Sequence, residues 1–274
     1  MKNRSFTDIF KKLFRGLLDI FFPVHCLFCS NQADQNSITP VPICPDHVRS
    51  LPALASPFCR LCGFPLSRPK TLPVDQLESF NDDSVLPPEA PLCGDCRLRK
   101  VEFEFVLAGF PYENQIREII HDWKFGYFEP WGDWLGGQLA ELLEERFNPQ
   151  LWDCLVPVPL YFRKKKRRGF NQSDQLAERL GREFNLPVRT VLKKQSSTAA
   201  QSELDRQERL KNLGNCFRLK KGGGDTISQQ RILIVDDIYT TGTTLRNAGK
   251  TLQEGGAKSL GGILLARSLP RRLS

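Results

Sequence analysis

The stretch Arg231-Ile-Leu-Ile-Val-Asp236-Asp237-Ile-Tyr-Thr240-Thr241-Gly242-Thr243-Thr244-Leu245 decides how the rest of the chain is read. The four aliphatics Ile232 to Val235 suit a strand buried on both faces, as parallel strands of α/β sheets are. Asp236 and Asp237 follow at its carboxyl end, the edge where open α/β sheets place their ligands. A small, hydroxyl-rich turn, Thr240 to Thr244, then opens a helix. Gly242 lets the backbone curl, so that amides, hydroxyls and the helix N-terminus together favour an anion. Adjacent carboxylates beside an anion cradle make electrostatic sense only if they grip hydroxyls or a metal. A ribose 5-phosphate satisfies both halves, with its phosphate in the turn and its 2- and 3-hydroxyls on the aspartates. No Gly-Lys-Ser/Thr follows, which excludes a Walker-type loop.

Outward from this strand the chain alternates strands with helices. Leu176, Leu180 and Phe184 mark a helix over 173–184, between strands predicted at 154–158 and 188–192. A helix over 243–254 stops at Gly255-Gly256 and a strand follows at 259–265. Upstream, Val101, Phe103, Phe105 and Leu107 alternate as a strand. Ile116, Ile119, Ile120 and Trp123 mark one helix, and Trp131, Trp134, Leu135, Leu139, Leu142 and Leu143 another. Residues 101–274 therefore predict an α/β domain, a mostly parallel sheet flanked by helices. Two segments break the rhythm: a basic loop containing six consecutive cations, Arg163 to Arg168, and a polar segment, 195–215, too poor in apolar residues to be core.

Residues 23–100 have another texture. Seven of the nine cysteines lie between Cys26 and Cys96. Cys26-x-x-Cys29 is followed by Cys44-x-x-His47, and Cys59-x-x-Cys62 by Cys93-x-x-Cys96. Each half offers two ligands from one tight turn, and two halves complete a tetrahedron, so the spacing predicts a double zinc-ribbon module with two structural zinc ions. Incidental thiols and redox pairs are the alternatives. Gly63 and Gly94 stand where a knuckle turn suits a residue tolerant of positive φ. His25 adjoins a ligand and His121 falls among core residues of a predicted helix, so neither is assigned to metal. Cys154 and Cys216 read as buried small hydrophobes. Asp75, Glu78, Asp82, Asp83 and Glu89, among prolines, mark an exposed acidic loop.

Residues 1–22 predict an amphipathic helix, with Phe6, Ile9, Phe10, Leu13, Phe14, Leu17, Leu18 and Phe21 on one face and Pro23 ending it. Its apolar stripe docks on the protein body or on a membrane surface; the sequence leaves both open. Asp8, Lys11, Lys12, Arg15 and Asp19 interrupt any signal-peptide core. No run approaches the ~18 apolar residues of a membrane span, so the expectation is a cytoplasmic protein with reduced thiols. The net charge of +8 favours polyanionic ligands without naming one.

The Asp-Asp and Thr-Thr-Gly-Thr-Thr stretch resembles the phosphoribosyl-pyrophosphate (PRPP) signature of type I phosphoribosyltransferases. Val156-Pro-Val-Pro-Leu160 with Arg163, Lys166 to Arg168, Gly169, Phe170, Asn171 and Gln172 resembles the corresponding loop of the ComF competence-protein family. So does Gln201-Ser-x-Leu204 with Arg209-Leu-x-Asn212-Leu. The resemblance implies a type I phosphoribosyltransferase-like fold behind two zinc ribbons. It implies Asp236 and Asp237 as catalytic residues, Thr240, Thr241, Gly242, Thr243 and Thr244 as the phosphate site, and Mg²⁺ arriving with PRPP. Arg163, Arg168, Gln201 and Arg209 would serve pyrophosphate and a closing hood, and Lys124 resembles a position near the site. The family's association with DNA uptake implies single-stranded DNA and a helicase-like ATPase as partners. Phosphoribosyl transfer to a base or amine is the alternative activity.

Overall fold

The computed structural model describes residues 24–29, 31–33, 41–54, 57–66, 72–73, 91–98, 103–144, 146–194 and 216–269. The expected N-terminal helix, the acidic loop and the hood segment with Gln201 and Arg209 lie outside the described residues. Two compact units are present, Met1–Leu51 and Pro52–Ser274.

In the first unit, Cys26 N donates to Asn31 O at 2.9 Å and Ala33 N to Val24 O at 2.9 Å, closing the first cysteine turn. Helix α1, Pro45–Arg49, carries the second ligand pair at its start; Pro45 suits that position because the amide it lacks would have no helical partner.

The second unit is built on four parallel strands in the order β3-β8-β7-β4. They are β3 (Phe105–Pro111), β4 (Cys154–Pro157), β7 (Arg231–Tyr239) and β8 (Ser259–Arg267). Short antiparallel pairs, β1 (Pro52–Ala53) with β2 (Leu72–Pro73) and β5 (Leu192–Lys194) with β6 (Phe217–Leu219), lie outside this sheet. The connecting helices are α2 (Gly94–Arg97), α3 (Asn114–His121), α4 (Pro130–Leu143), α5 (Phe162–Arg168), α6 (Gln172–Glu183), α7 (Gly223–Ile227) and α8 (Thr243–Glu254).

Alternation along the strands divides the core between the two faces. Val106, Ala108, Ile232, Ile234, Leu260 and Leu264 join Leu245, Ala248 and Leu252 of α8 in one cluster, which also holds Cys59, Cys62 and Cys96. Against the opposite face α4 and α6 lie side by side; at Gly109 the missing side chain leaves room for Leu139 and Leu142.

Five expectations need correction. The first strand covers Phe105–Pro111, so Phe103 precedes it while Val101 lies outside the described residues; it is buried at every position, because both its faces are covered and polar alternation is not required. The strand expected near 188–192 is displaced to Leu192–Lys194 and lies outside the four-stranded sheet. Val188 makes a single parallel bridge to Leu155, and the chain then turns into the β5–β6 pair. The basic loop is helical over Phe162–Arg168: Arg and Lys are good helix formers, and Gly169, at φ +83°, ends the turn. Cys216 is exposed, with Asn247 Nδ2 at 3.6 Å from its Sγ, and His121 is exposed and stacked on Phe125. Cys154 is buried as expected, its thiol pushed up to about 11 by burial.

Candidate functional site

β4 ends at Pro157, paired with Val235, while β7 continues to Tyr239. Asp236 and Asp237 therefore emerge where β7 has outrun its neighbour, beside the N-terminus of α6. Asp236 is 9% exposed; its Oδ1 accepts from Ser173 Oγ at 2.9 Å and from Asp237 N at 3.0 Å. Burial, then the neighbouring Asp237 charge, push the Asp236 carboxyl up to about 7 despite these two donors. It is thus a group able to change protonation near neutrality. Asp237 forms an ion pair with Lys124.

Lys124 comes from a one-turn widening of the helix to π geometry, Asp122–Gly126, a local irregularity that often marks functional sites. The turn is anchored by Trp131 Nε1 donating to Asp122 Oδ2 at 2.7 Å and Trp123 Nε1 donating to Gln175 Oε1 at 2.9 Å. Arg168 reaches the same area. Its Nη1 donates to Gln172 Oε1 at 3.0 Å, its guanidinium lies 5.2 Å from the Phe125 ring centre, and its Nε is buried without a partner. Desolvation lowers the Arg168 pKa, and the Asp237 charge opposes that fall. Arg163, by contrast, is exposed on α5. Along that helix Arg163 to Arg167 all face solvent, and among the described ion pairs only Lys165 has an acid, Asp174 at 3.1 Å.

The bend follows directly. Gly242 adopts φ +74° and precedes the first turn of α8, while Thr240, Thr241, Thr243 and Thr244 are exposed. Thr241 and Thr243 hydroxyls are 2.9 Å apart. Among the described residues, no turn or loop hydrogen bond takes its donor from the amides of Thr240, Thr241 or Gly242. Asp236 shares a small recess with Thr240, Gly242 and Thr244, so carboxylate and bend line one depression. Paired acids, two cations and free amides thus meet on one sheet edge, an arrangement suited to a phosphorylated polyol carrying further anionic charge.

The cysteine sets are equally well assembled. Cys26, Cys29, Cys44 and His47 bring their ligand atoms within 4.8 Å of one another, as do Cys59, Cys62, Cys93 and Cys96. In the first, Cys44 Sγ is 3.1 Å and Cys26 Sγ 3.5 Å from His47 Nδ1. In the second, hydrogen bonding from Cys62 pulls the Cys59 thiol down to about 4, while Cys62 is pushed up and Cys96 rises to about 12. Soft sulfur donors in a four-fold set fit a thiophilic tetrahedral ion.

Sequence reasoning did not anticipate Ser173 or Arg267. Arg267, at the end of β8, donates from Nη1 to the Cys62 carbonyl and lies 4.5 Å from the Tyr239 ring centre and 5.4 Å from that of Phe64. It ties the second cysteine turn to the strand that carries the bend. An isolated arginine after an apolar strand gives no such signal.

A parallel sheet with this acid pair and bend on its carboxyl edge is the phosphoribosyltransferase-like α/β class. The phosphoribosyl transferase domain family matches residues 166–273. The chain belongs to the ComF family. It is 33% identical over 178 residues to competence protein ComFC of Streptococcus pneumoniae, covering 64% of this chain and 74% of that protein. It is 32% identical over 181 residues to the DNA utilization protein YhgH of Escherichia coli K12, covering 65% and 78%. Competence protein F of Haemophilus influenzae is 29% identical over 185 residues, 64% of this chain and 78% of that one. Among solved structures, the glutamine PRPP amidotransferase of B. subtilis superposes with a TM-score of 0.36 at 19% identity over 48% of this chain and 25% of that enzyme. A purine phosphoribosyltransferase of Pyrococcus horikoshii gives 0.32 at 16% identity over 49% and 84%. Among the described residues, no helix is long and apolar enough to cross a membrane.

Proposed function

We propose that this chain binds PRPP with Mg²⁺ and acts in the cytoplasm in the handling of single-stranded DNA during uptake. The observation that carries the PRPP reading is the placement of Asp236 and Asp237 at the end of β7, directly ahead of the Thr240–Thr244 bend and the first turn of α8. In this reading the bend amides and hydroxyls take the 5-phosphate, Asp236 and Asp237 hold the ribose hydroxyls, and Arg168 and Lys124 face the pyrophosphate. Mg²⁺ supplies charge neutralisation on the diphosphate when bound. Arg163, Gln201 and Arg209 complete the pyrophosphate and hood contacts. Both cysteine sets hold structural zinc, which contributes folding free energy and leaves no ligand position open for catalysis.

The DNA reading rests on the relatives' names, competence and DNA utilization, and on the exposed cations of α5 beside Phe162, itself 74% exposed. Such a surface suits a phosphate backbone with a base stacked on the ring; a helicase-like ATPase would supply the strand. Active phosphoribosyl transfer to a base or amine is a second reading, favoured by the Asp236 carboxyl near 7, which can accept a proton at physiological pH.

Calorimetric titration of the metal-loaded chain with PRPP and Mg²⁺ tests the first reading. Asp237→Ala is expected to lower affinity at least a hundredfold, and unchanged affinity would sink the assignment. For DNA, binding of an oligothymidylate should weaken steeply with salt, and replacing Arg163, Lys164, Lys166 and Arg167 by Gln should flatten that slope. A slope unaffected by these four changes places DNA elsewhere.

A further inference from the structure

Ser173 is 3% exposed in the first turn of α6, and its hydroxyl donates to Asp236 Oδ1 at 2.9 Å across sixty-three positions of sequence. A serine so early in a helix ordinarily bonds backbone close to itself. Here the donor is directed at a carboxylate on a neighbouring strand. The start of α6 is also tied to that strand. Asn171 Nδ2 donates to Val158 O at 3.1 Å, and Val158 N donates to Val235 O at 2.9 Å. Val235 immediately precedes Asp236, so the serine and the carboxylate share one short hydrogen-bonded frame. Two residues beyond Ser173, Gln175 accepts from Trp123 Nε1, next in sequence to Lys124. The same turn of helix thus steadies both the acid and the cation of the site.

For Asp236 the frame has two consequences. Among the described residues both of its hydrogen bonds, from Ser173 Oγ and Asp237 N, fall on Oδ1, which leaves Oδ2 to accept from a ligand. Both partners are donors, which favours the ionised form of a group that burial and the Asp237 charge push up to about 7. The charges that act on Asp236 are Asp237 on its own strand and Lys124 on the π turn, while Arg168 acts on Asp237. On α6 the acid beside Ser173, Asp174, is held by Asn171 and Lys165. The bend contributes Thr240 and Thr244 to the recess and β8 contributes Leu264, none of them charged; burial raises the Tyr239 phenol further from neutrality.

We propose that Ser173 is a positioning residue for Asp236: its hydroxyl occupies Oδ1 and fixes the carboxylate so that Oδ2 accepts from the ribose hydroxyls. The ligand is that of the PRPP reading, on which this role rests. The hold on the carboxylate belongs to the protein itself and is measurable without ligand.

Two measurements on the full-length, zinc-loaded chain test it, each on wild type, Ser173→Ala and Ser173→Thr. In the first, carbon-13 NMR follows the Asp236 carboxyl against pH with no PRPP added, the signal being assigned by its loss in Asp236→Asn. Removing a hydroxyl donor from a carboxylate should raise the titration midpoint by about one pH unit in Ser173→Ala. Ser173→Thr, which keeps the hydroxyl, should return it towards the wild-type midpoint. In the second, calorimetry measures affinity for PRPP with Mg²⁺ at about pH 6.5 and about pH 8.5, on either side of the Asp236 titration. The ligand's own ionisation is common to all the proteins and cancels in their affinity ratios. Ribose hydroxyls donate to the ionised carboxylate, so affinity is full above the midpoint and lost below it, and a higher midpoint moves that loss to higher pH. Wild type should therefore bind about eightfold more tightly than Ser173→Ala at the lower pH and less than about twofold more tightly at the higher. A side chain that merely packed would give one ratio at both. Should Ser173→Ala fail to fold, Ser173→Cys, close in size with a weaker donor, should move both readouts the same way by less. An unmoved midpoint or a ratio independent of pH overturns the role of Ser173. Failure of wild type to bind PRPP sinks the PRPP reading instead, and the NMR midpoint then decides by itself whether Ser173 holds Asp236.

Discussion

The two cysteine sets repeat the same two-residue spacing within each ligand pair and have very different surroundings. The Cys26–His47 set belongs to the compact unit Met1–Leu51, where Cys26 and Cys44 are buried. The Cys59–Cys96 set is part of the α/β core: Cys59 is fully buried, and Cys62 and Cys96 share one apolar cluster with Val106, Ile234 and Leu245. One metal knot therefore closes a small module whose other buried apolar side chains, among the described residues, are Ala33, Val41, Ile43 and Leu51. The other braces a wall of the domain that carries the candidate site, through Cys62 O, Arg267 and Tyr239. Equal spacing in a sequence does not mean equal mechanical duty.

The largest effect that could break this comparison is the loss of one ligand from each set. Structural zinc contributes about 10–16 kcal/mol of apparent folding free energy in isolated modules. Cys62→Ser also puts a hydroxyl into the shared apolar cluster, so the main thermal transition should fall by more than about 10 °C and PRPP affinity should fall with it. Cys29→Ser should release one metal equivalent yet leave the main transition within about 2 °C. Differential scanning calorimetry with parallel zinc quantification decides; equal shifts in both variants would erase the distinction drawn above.

How much of this was legible beforehand follows from the physics each segment uses. β7 and its bend were readable because a buried parallel strand must be continuously apolar and a tight phosphate turn must be small and hydroxylated; both demands are local. The ligand sets were readable for the same reason, since a knuckle fixes its spacing within four residues. The basic segment was misread because mutual repulsion of Arg163 to Arg168 suggests an extended loop, whereas helix propensity and the Gly169 stop prevail when the charges face solvent. Contacts made by residues far apart in sequence left no local trace. Lys124 meets Asp237 across more than a hundred positions and Arg267 meets Cys62 across two hundred and five. The burial of the second cysteine set, invisible in its spacing, belongs to the same class.

The smallest effect is also the sharpest, because it separates two glycines that the sequence treats alike. Gly63 follows the second cysteine of its pair, where the chain must curl back over the metal, and it adopts φ +64°. Gly94 follows the first cysteine of its pair and begins α2, so its backbone is helical and a side chain there would meet nothing within 4 Å. A Cβ at Gly63 would stand 3.3 Å from the Val106 carbonyl as well as forcing a left-handed conformation on an L residue, a cost of about 1–2 kcal/mol. Gly63→Ala should therefore lower the main transition by a few degrees, while Gly94→Ala should change stability by no more than about 0.5 kcal/mol. Because Gly63 touches the strand residue Val106 rather than another part of the cysteine turn, the loss should appear in the unfolding of the α/β domain and not as metal release alone. Zinc loss that precedes unfolding in Gly63→Ala would mean that the knuckle's curl serves the metal first and the sheet second.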